Sequence, residues 1–399
     1  MRADAGLRPR MGLGHLEPAS PLEPASPLEA HGLSAPDTIR AICRTKVPGW
    51  SLVAEDRLCV GRMEGGLSNQ LFKVSVRAGD GCDGQASSHV PCALFRIYGN
   101  GHATALYDQD LEVLIFKTLG QYQIAPRCYA AGDGWRIEEF FSAQPLRTHQ
   151  LRNPATIAQV AAQVARVHKV SQRGDFPARI RERPPASATR LWTWGADCAR
   201  AADRLAASSA EANTRLAQLD VEAILGEREW LREFVVDEDP GALGSGLDVV
   251  FSHNDVQENN ILESSAGLRF IDFEYSGMDH QAYDIANFFN ECTLDYISDR
   301  YPYYTHRPSD FPVEWEQRLF CAMYLSEYLE ARVRFDDACV TRLMARAQRF
   351  ALMSHYLWVV WAIVRAPSTP CVDEFDHLHY AQTRWSAYRS MKQRLVSSA

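Results

Sequence analysis

What this chain of 399 residues lacks first is a long apolar run: Leu357–Val364, eight residues, is the longest beside any motif. A bilayer asks for about 20 such residues, so this segment reads as buried helix and membrane insertion is excluded. Nor is there a basic excess. Lys and Arg total 42 against 50 Asp and Glu, a formal net charge of -8, which argues against a nucleic-acid binder with its basic face. An anionic ligand is still allowed, because it needs only local donors and a metal. Met1–Gly14 has scattered arginines but no apolar core and no small-residue cleavage site, so a cytoplasmic protein is expected. The ten cysteines are dispersed with no C-x-x-C pair; they read as reduced, apolar fillers.

The length suits two lobes meeting at a cleft. Residues 1–36 contain a tandem repeat, Leu16–Pro21 followed by Leu22–Pro27. Proline at that density continues neither helix nor sheet, and a disordered tail is expected. Residues 37–143 read as a small β-rich lobe. Alternating and β-branched stretches at Leu58–Val60, Leu71–Val76 and Cys92–Tyr98 predict strands, with a glycine-rich loop at 78–88 between the last two. Helical spacing over Asp110–Gly120 predicts one inserted helix, and Trp135–Phe141 a further strand. Residues 144–399 read as a mostly helical lobe. Asn153-Pro154 caps a helix whose Ile157, Val160, Ala161, Val164 and His168 share a face. Residues 196–235 and the chain beyond Trp315 are also helical, and 237–246 is a surface loop. The class is α+β.

The chemistry centres on His253-Asn-Asp-Val-Gln-Glu-Asn-Asn260. Leu247–Phe251 is a short strand leading into it, Asn260–Glu263 a second, and Leu268–Asp272 a third, ending on a carboxylate. Phosphoryl transfer from ATP asks a protein for positioning and charge neutralisation rather than covalent chemistry. The spacing His-x-Asp-x4-Asn, followed by the strand-end Asp, supplies three groups from one hairpin. Asp255 orients the attacking hydroxyl, while Asn260 and Asp272 hold Mg2+ against the phosphates. His253 reads as a brace for backbone carbonyls rather than a proton carrier.

Upstream, Glu64-Gly-Gly-Leu-Ser-Asn-Gln70 joins the first two strands. Gly65 and Gly66 let the backbone approach phosphates, and Ser68 or Asn69 can donate to them. The segment is neither a Walker A loop nor G-x-G-x-x-G, and a plain hairpin turn is the alternative. Arg96 stands where a cation reaches phosphates. Glu112, on the inserted helix, is expected to pair with it, the alternative being a surface charge pair.

Together these residues resemble the choline/ethanolamine kinase family, within the two-lobed protein-kinase-like and aminoglycoside-phosphotransferase-like fold. The resemblance spans about Val60 to Tyr388. It rests on Gly65–Asn69, Phe95–Gly99, His253–Gln257, Ile271–Tyr275, Tyr283–Glu291 and Ser354–Trp361. Protein kinases themselves are disfavoured, because Asp272 is followed by Phe-Glu and no Ala-Pro-Glu segment appears. The resemblance implies transfer of the ATP γ-phosphate to the hydroxyl of choline or ethanolamine, with Mg2+. It makes Asp255 the catalytic aspartate and Asn260 and Asp272 the metal ligands. Arg96 stands where protein kinases have lysine, and the Glu138-Glu139-Phe140 backbone holds adenine. The family commonly dimerises, so a homodimer is expected on resemblance alone.

A quaternary ammonium has no N–H donors and is bound by aromatic faces with a nearby carboxylate. Tyr275, Tyr296, Trp358, Trp361, Phe375 and Tyr380, with Glu291 for charge, occupy positions matching the family. Such a stripe is otherwise core. Gln257, the Asp272-Phe-Glu-Tyr run and Tyr380-Ala-Gln point to choline before ethanolamine. Asn259 replaces the family's usual glycine, so its backbone either avoids a glycine-only conformation or uses asparagine's tolerance of positive φ. The rival readings are a kinase for another small hydroxyl or amine and a non-catalytic pseudokinase, which intact Asp255, Asn260 and Asp272 oppose.

Overall fold

A computed structural model of the protein describes residues 32–63, 69–77, 90–98, 106, 108–237, 248–265, 267–367 and 375–397. The repeat segment, Gly65, Gly66 and Ser68, the glycine-rich loop at 78–88, most of the loop at 237–246 and Cys371–Glu374 lie outside these residues. The chain divides into two compact units, one ending at Pro145 and one beginning at Leu146.

The first unit is a five-stranded antiparallel sheet: β1 (Leu58–Met63), β2 (Asn69–Val76), β3 (Cys92–Tyr98), β4 (Cys128–Gly132) and β5 (Trp135–Glu139) in the order β1-β2-β3-β5-β4. Strand periodicity separates its two faces. Phe72, Val74, Ala93, Phe95, Ile97 and Ile137 form one apolar face. A helix the sequence reading did not anticipate, α1 (Pro36–Lys46), covers it with Ile39 and Cys43, and the following turn adds Trp50. The other face is mixed. Met63, Leu71 and Leu94 form a small apolar patch with Phe140, and beside it Arg96, Tyr98, Arg136 and Glu138 alternate in from β3 and β5. The inserted helix α2 (Gln109–Gln121) starts where Asp108 caps it, its side chain accepting from Leu111 N.

In the second unit α3 (Pro154–Lys169) begins at the expected Asn153 cap, and α4 (Ala186–Ser208), α6 (Glu314–Leu329), α7 (Ala338–Arg365) and α8 (His377–Ser397) make most of the packing. Helix α5 (Gln281–Glu291) is buried on every side. Four short strands frame the loop His253–Asn260. β6 (Val249–Ser252) pairs antiparallel with β9 (Gly277–His280), while β7 (Ile261–Ser264) and β8 (Gly267–Phe270) form a hairpin. The single hairpin expected to present all three catalytic groups is therefore two ribbons, with the loop strung between them. Among the described residues no helix is long and apolar enough to cross a membrane. The eight described cysteines are free.

Candidate active site

The first unit holds a charged cluster on the mixed face of its sheet. Arg96 Nε donates to Glu138 Oε1 at 2.9 Å. Glu112 is engaged by Arg136 Nη1 at 2.5 Å and by the Tyr98 hydroxyl at 2.9 Å, so the expected partner of Arg96 is held by another arginine. Arg136 also reaches Glu138 at 3.5 Å and lies over the Phe116 ring, 3.7 Å from its centroid. Burial alone would raise the Glu138 carboxyl; Arg136 and Arg96 outweigh it and hold the group below its ordinary range. The alternation Arg136-x-Glu138 on a strand was the available signal for this cluster. Asn69 opens β2 opposite Tyr98. Glu139 accepts from Arg127 N at 3.1 Å. Phe140 lies on the apolar patch with Lys73 4.4 Å from its ring centroid.

In the second unit the loop is fixed by hydrogen bonds converging on Asp284, which lies within the Tyr283–Glu291 segment. Asp284 Oδ2 accepts from His253 N (2.8 Å) and lies 3.0 Å from His168 Nε2, while Oδ1 accepts from Asn254 N (2.6 Å). Asp284 is fully buried. Burial pushes its carboxyl up, but the hydrogen bond and charge of His168, with the loop's histidine and amide, pull it below its ordinary value. His253 acts as the expected brace. Asp255 N donates to its Nδ1 at 3.2 Å, and its Nε2 faces Ile271 O at 2.9 Å. That places the imidazole proton on Nε2 and ties the loop to the residue before Asp272. Asn254 takes φ 66° and Asp272 φ 64°, a left-handed conformation that Asn and Asp tolerate better than most side chains. Asn259 does not share it: residues 258–260 form a 3₁₀ turn, whose dihedrals suit any residue. Gln257, expected at the substrate, caps this turn by accepting from Asn259 N at 2.9 Å.

Asn260 Nδ2 donates to Asp255 Oδ2 at 2.8 Å and to Asp255 O at 3.0 Å. Its amide oxygen is thereby turned away from Asp255. Desolvation, then repulsion from Glu291, Asp272 and Glu274, pushes the half-buried Asp255 carboxyl well above its usual range. Among the described residues no three His, Cys, Asp or Glu side chains form a complete metal cage. One amide oxygen and one carboxylate beside crowded negative charge fit Mg2+, which takes few protein ligands and completes its shell with phosphates and water.

Helix α5 links this loop to an aromatic cluster. Of its polar side chains, Asp284, Asn287 and Glu291 recur three and four residues apart, hence on one face. Asn287 Oδ1 accepts from Trp358 Nε1 and from Ser354 Oγ, each at 2.8 Å. The six aromatic residues singled out in the sequence touch in sequence: Tyr275–Trp358 (5.6 Å between centroids), Trp358–Trp361 (5.3 Å), Trp361–Tyr380 (6.4 Å), Tyr380–Phe375 (5.2 Å) and Phe375–Tyr296 (6.3 Å). Trp361 Nε1 donates to the Tyr275 hydroxyl at 2.8 Å. Glu291, 1% exposed, joins this cluster by accepting from the Tyr296 hydroxyl at 2.8 Å. Three participants were missed: Tyr304, 5.5 Å from Tyr380; Arg384, ion-paired with Glu291; and Glu258. The last is fully buried, accepts from Thr148 Oγ1 at 3.2 Å and Tyr296 N at 3.3 Å, and is pushed up to about 8 by burial and then by Glu291.

The family model of choline/ethanolamine kinases matches residues 60–389. The rat choline/ethanolamine kinase (Rattus norvegicus) is 29% identical over 374 residues, spanning 89% of this chain and 86% of its own length. Mouse ethanolamine kinase 1 (Mus musculus) is 30% identical over 312 residues, 75% of this chain and 77% of its own. The crystal structure of choline kinase from Cryptosporidium parvum is similar with a TM-score of 0.76 at 31% identity, covering 90% of this chain and 96% of that one. The chain belongs to the choline/ethanolamine kinase family, phosphotransferases with an alcohol acceptor on a protein-kinase-like α+β fold.

Proposed function

We propose that the protein transfers the γ-phosphate of ATP to the hydroxyl of choline, giving phosphocholine for phosphatidylcholine synthesis. The observation that supports choline most is the unbroken run of six aromatic rings from Tyr275 to Tyr296, with the Glu291 carboxylate bonded into it. Aromatic faces compensate a trimethylammonium group, which has no N–H to donate.

Asp255 accepts the proton of the choline hydroxyl as its oxygen attacks phosphorus, and the hydrogen bond from Asn260 Nδ2 sets the direction of the receiving oxygen. Asn260 and Asp272 hold magnesium, which when bound neutralises charge on the phosphates and on the crowded carboxylates. In the first unit Arg96, held by Glu138, neutralises phosphate charge, and the patch of Met63, Leu71, Leu94 and Phe140 suits a purine face. Gly65, Gly66, Ser68 and Asn69 donate to phosphates, Glu112 and Glu138 position the arginines, and the Glu139–Phe140 backbone holds adenine. The acceptor contacts are Tyr275, Glu291, Tyr296, Trp358, Trp361, Phe375 and Tyr380. This reading includes a cytoplasmic location and, by family likeness, a homodimer.

The test measures ADP release with ATP and magnesium against choline, ethanolamine and an aminoglycoside in parallel. Choline is expected to give the highest kcat/KM. Turnover confined to the aminoglycoside, or none with either amino alcohol, rejects the assignment.

A further inference from the structure

Glu291 was expected to supply the charge for the substrate cation, and in the structure both its oxygens are engaged. Oε1 is ion-paired with Arg384 Nη2, and both side chains are only 1% exposed. Oε2 accepts from the Tyr296 hydroxyl at 2.8 Å. Arg384 Nε donates to the Tyr380 hydroxyl at 2.9 Å, and the Tyr380 and Tyr296 hydroxyls are 2.9 Å apart. Every proton in this ring is assigned by elimination. Arginine has donors only, so Tyr380 accepts from it. Tyr296 gives its single proton to Glu291, so Tyr380 gives its own to Tyr296. Behind the guanidinium, Nη1 lies 3.3 Å from His355 Nδ1, which fixes its orientation from the other side.

We propose that Arg384 is a specificity-determining residue of the acceptor site: by occupying Glu291 it biases the pocket toward quaternary and against primary ammonium headgroups. The proposal rests on the choline-kinase reading above. A primary ammonium brings three N–H donors and a strong hydration shell, and entering a buried site it needs acceptors to replace that water. Glu291 is the carboxylate that accepts from a hydroxyl of the ring cluster; its charge is cancelled by Arg384, and each of its oxygens already accepts one hydrogen bond. A trimethylammonium group asks for no acceptor. It loses little by meeting a neutralised ion pair, and the rings around it supply the attraction. Arg384 therefore taxes ethanolamine more than choline, an element of discrimination by an unmet hydrogen bond rather than by size.

The test compares kcat/KM for choline and for ethanolamine in wild type, R384Q and Y296F. R384Q frees one oxygen of Glu291, and its choline-to-ethanolamine ratio is expected to fall at least about fivefold, chiefly through a lower KM for ethanolamine. A general loss of structure would lower both activities together and leave the ratio in place. Should R384Q fail to fold, Y296F keeps the Arg384–Glu291 ion pair and the aromatic face while removing the donor on the other oxygen, and the same direction is expected. A ratio that moves less than about fivefold in every folded variant overturns the role of Arg384. Wild type turning over neither amine overturns the reading beneath it instead, so the two failures are told apart.

Discussion

Replacing Asp284 by Asn removes one charge and almost no volume, so it isolates what a buried carboxylate does for the catalytic loop. The amide oxygen can take over the Oδ2 position and keep His253 N and His168 Nε2. The amide NH2 then faces Asn254 N, a donor against a donor where the carboxylate accepted at 2.6 Å. One buried backbone N–H left unmade costs about 1–3 kcal/mol, and two bonds losing their charge assistance cost about 1 kcal/mol each. Relief from desolvating a carboxylate returns part of this, leaving about 3 kcal/mol of lost stability. Asp255 follows Asn254 directly, so the loop is misplaced where chemistry occurs, and a displacement near 1 Å costs on the order of 100-fold in kcat. Urea unfolding and steady-state kinetics on D284N read both quantities. The pH dependence checks the cause. The Asp284 carboxyl is depressed below its ordinary 3.8 in the folded protein. Its contribution is therefore complete above that value and lost as pH falls through the folded one. The stability gap between wild type and D284N is expected to narrow as pH falls below the ordinary 3.8 toward the depressed folded value. A D284N protein within about 0.5 kcal/mol of wild type at pH 7, with kcat within twofold, refutes this account of the loop.

Other consequences are simpler to read. Asp255→Ala should lower kcat by several orders of magnitude, while the melting temperature stays level or rises because Asp255 is repelled by Glu291, Asp272 and Glu274; thermal melts beside kinetics check both halves. Trp361→Ala loses a ring of the run and the bond to Tyr275, so the choline KM should rise about tenfold with a smaller change in kcat. An unchanged KM would leave Trp361 as core alone. Glu258 keeps its proton in the fold up to about 8 but ionises near 4.5 when unfolded. Wild type therefore loses stability relative to E258Q as pH rises between those values, reaching about 3 kcal/mol at pH 7 and levelling above 8. Denaturant titrations at pH 5, 7 and 8.5 measure the slope, and a pH-independent difference contradicts it.

What the sequence made legible was local or periodic. Alternation along Leu71–Val76 and Cys92–Tyr98, the Asn153-Pro154 cap and the His-x-Asp-x4-Asn spacing each carry their signal within a few residues, and each element lies where expected. The aromatic run was legible by residue type and family position, though nothing local says that Phe375 meets Tyr296 across 78 intervening positions. Non-local pairing was the blind spot. The strand expected at Leu247–Phe251 reads as leading into one hairpin with its sequence neighbours, whereas the register joins Val249–Ser252 to Gly277–His280. The same holds for charge. Arg96 and Glu112 looked like partners because helix follows strand, yet β3 lies against β5, and that register sets Arg136 opposite Arg96. One signal was overlooked: polar Asp284, Asn287 and Glu291 at spacings that place them on one face of a single buried helix, where each must find a partner. Arg384, four residues past Tyr380, offered the same clue on the last helix.

The most direct test of the central claim is one reaction holding equimolar choline and ethanolamine with limiting ATP and magnesium, the products resolved by phosphorus-31 NMR. The account predicts phosphocholine as the dominant phosphomonoester, with its signal lost in Asp255→Ala. Phosphoethanolamine as the dominant product, or inorganic phosphate alone, would contradict it.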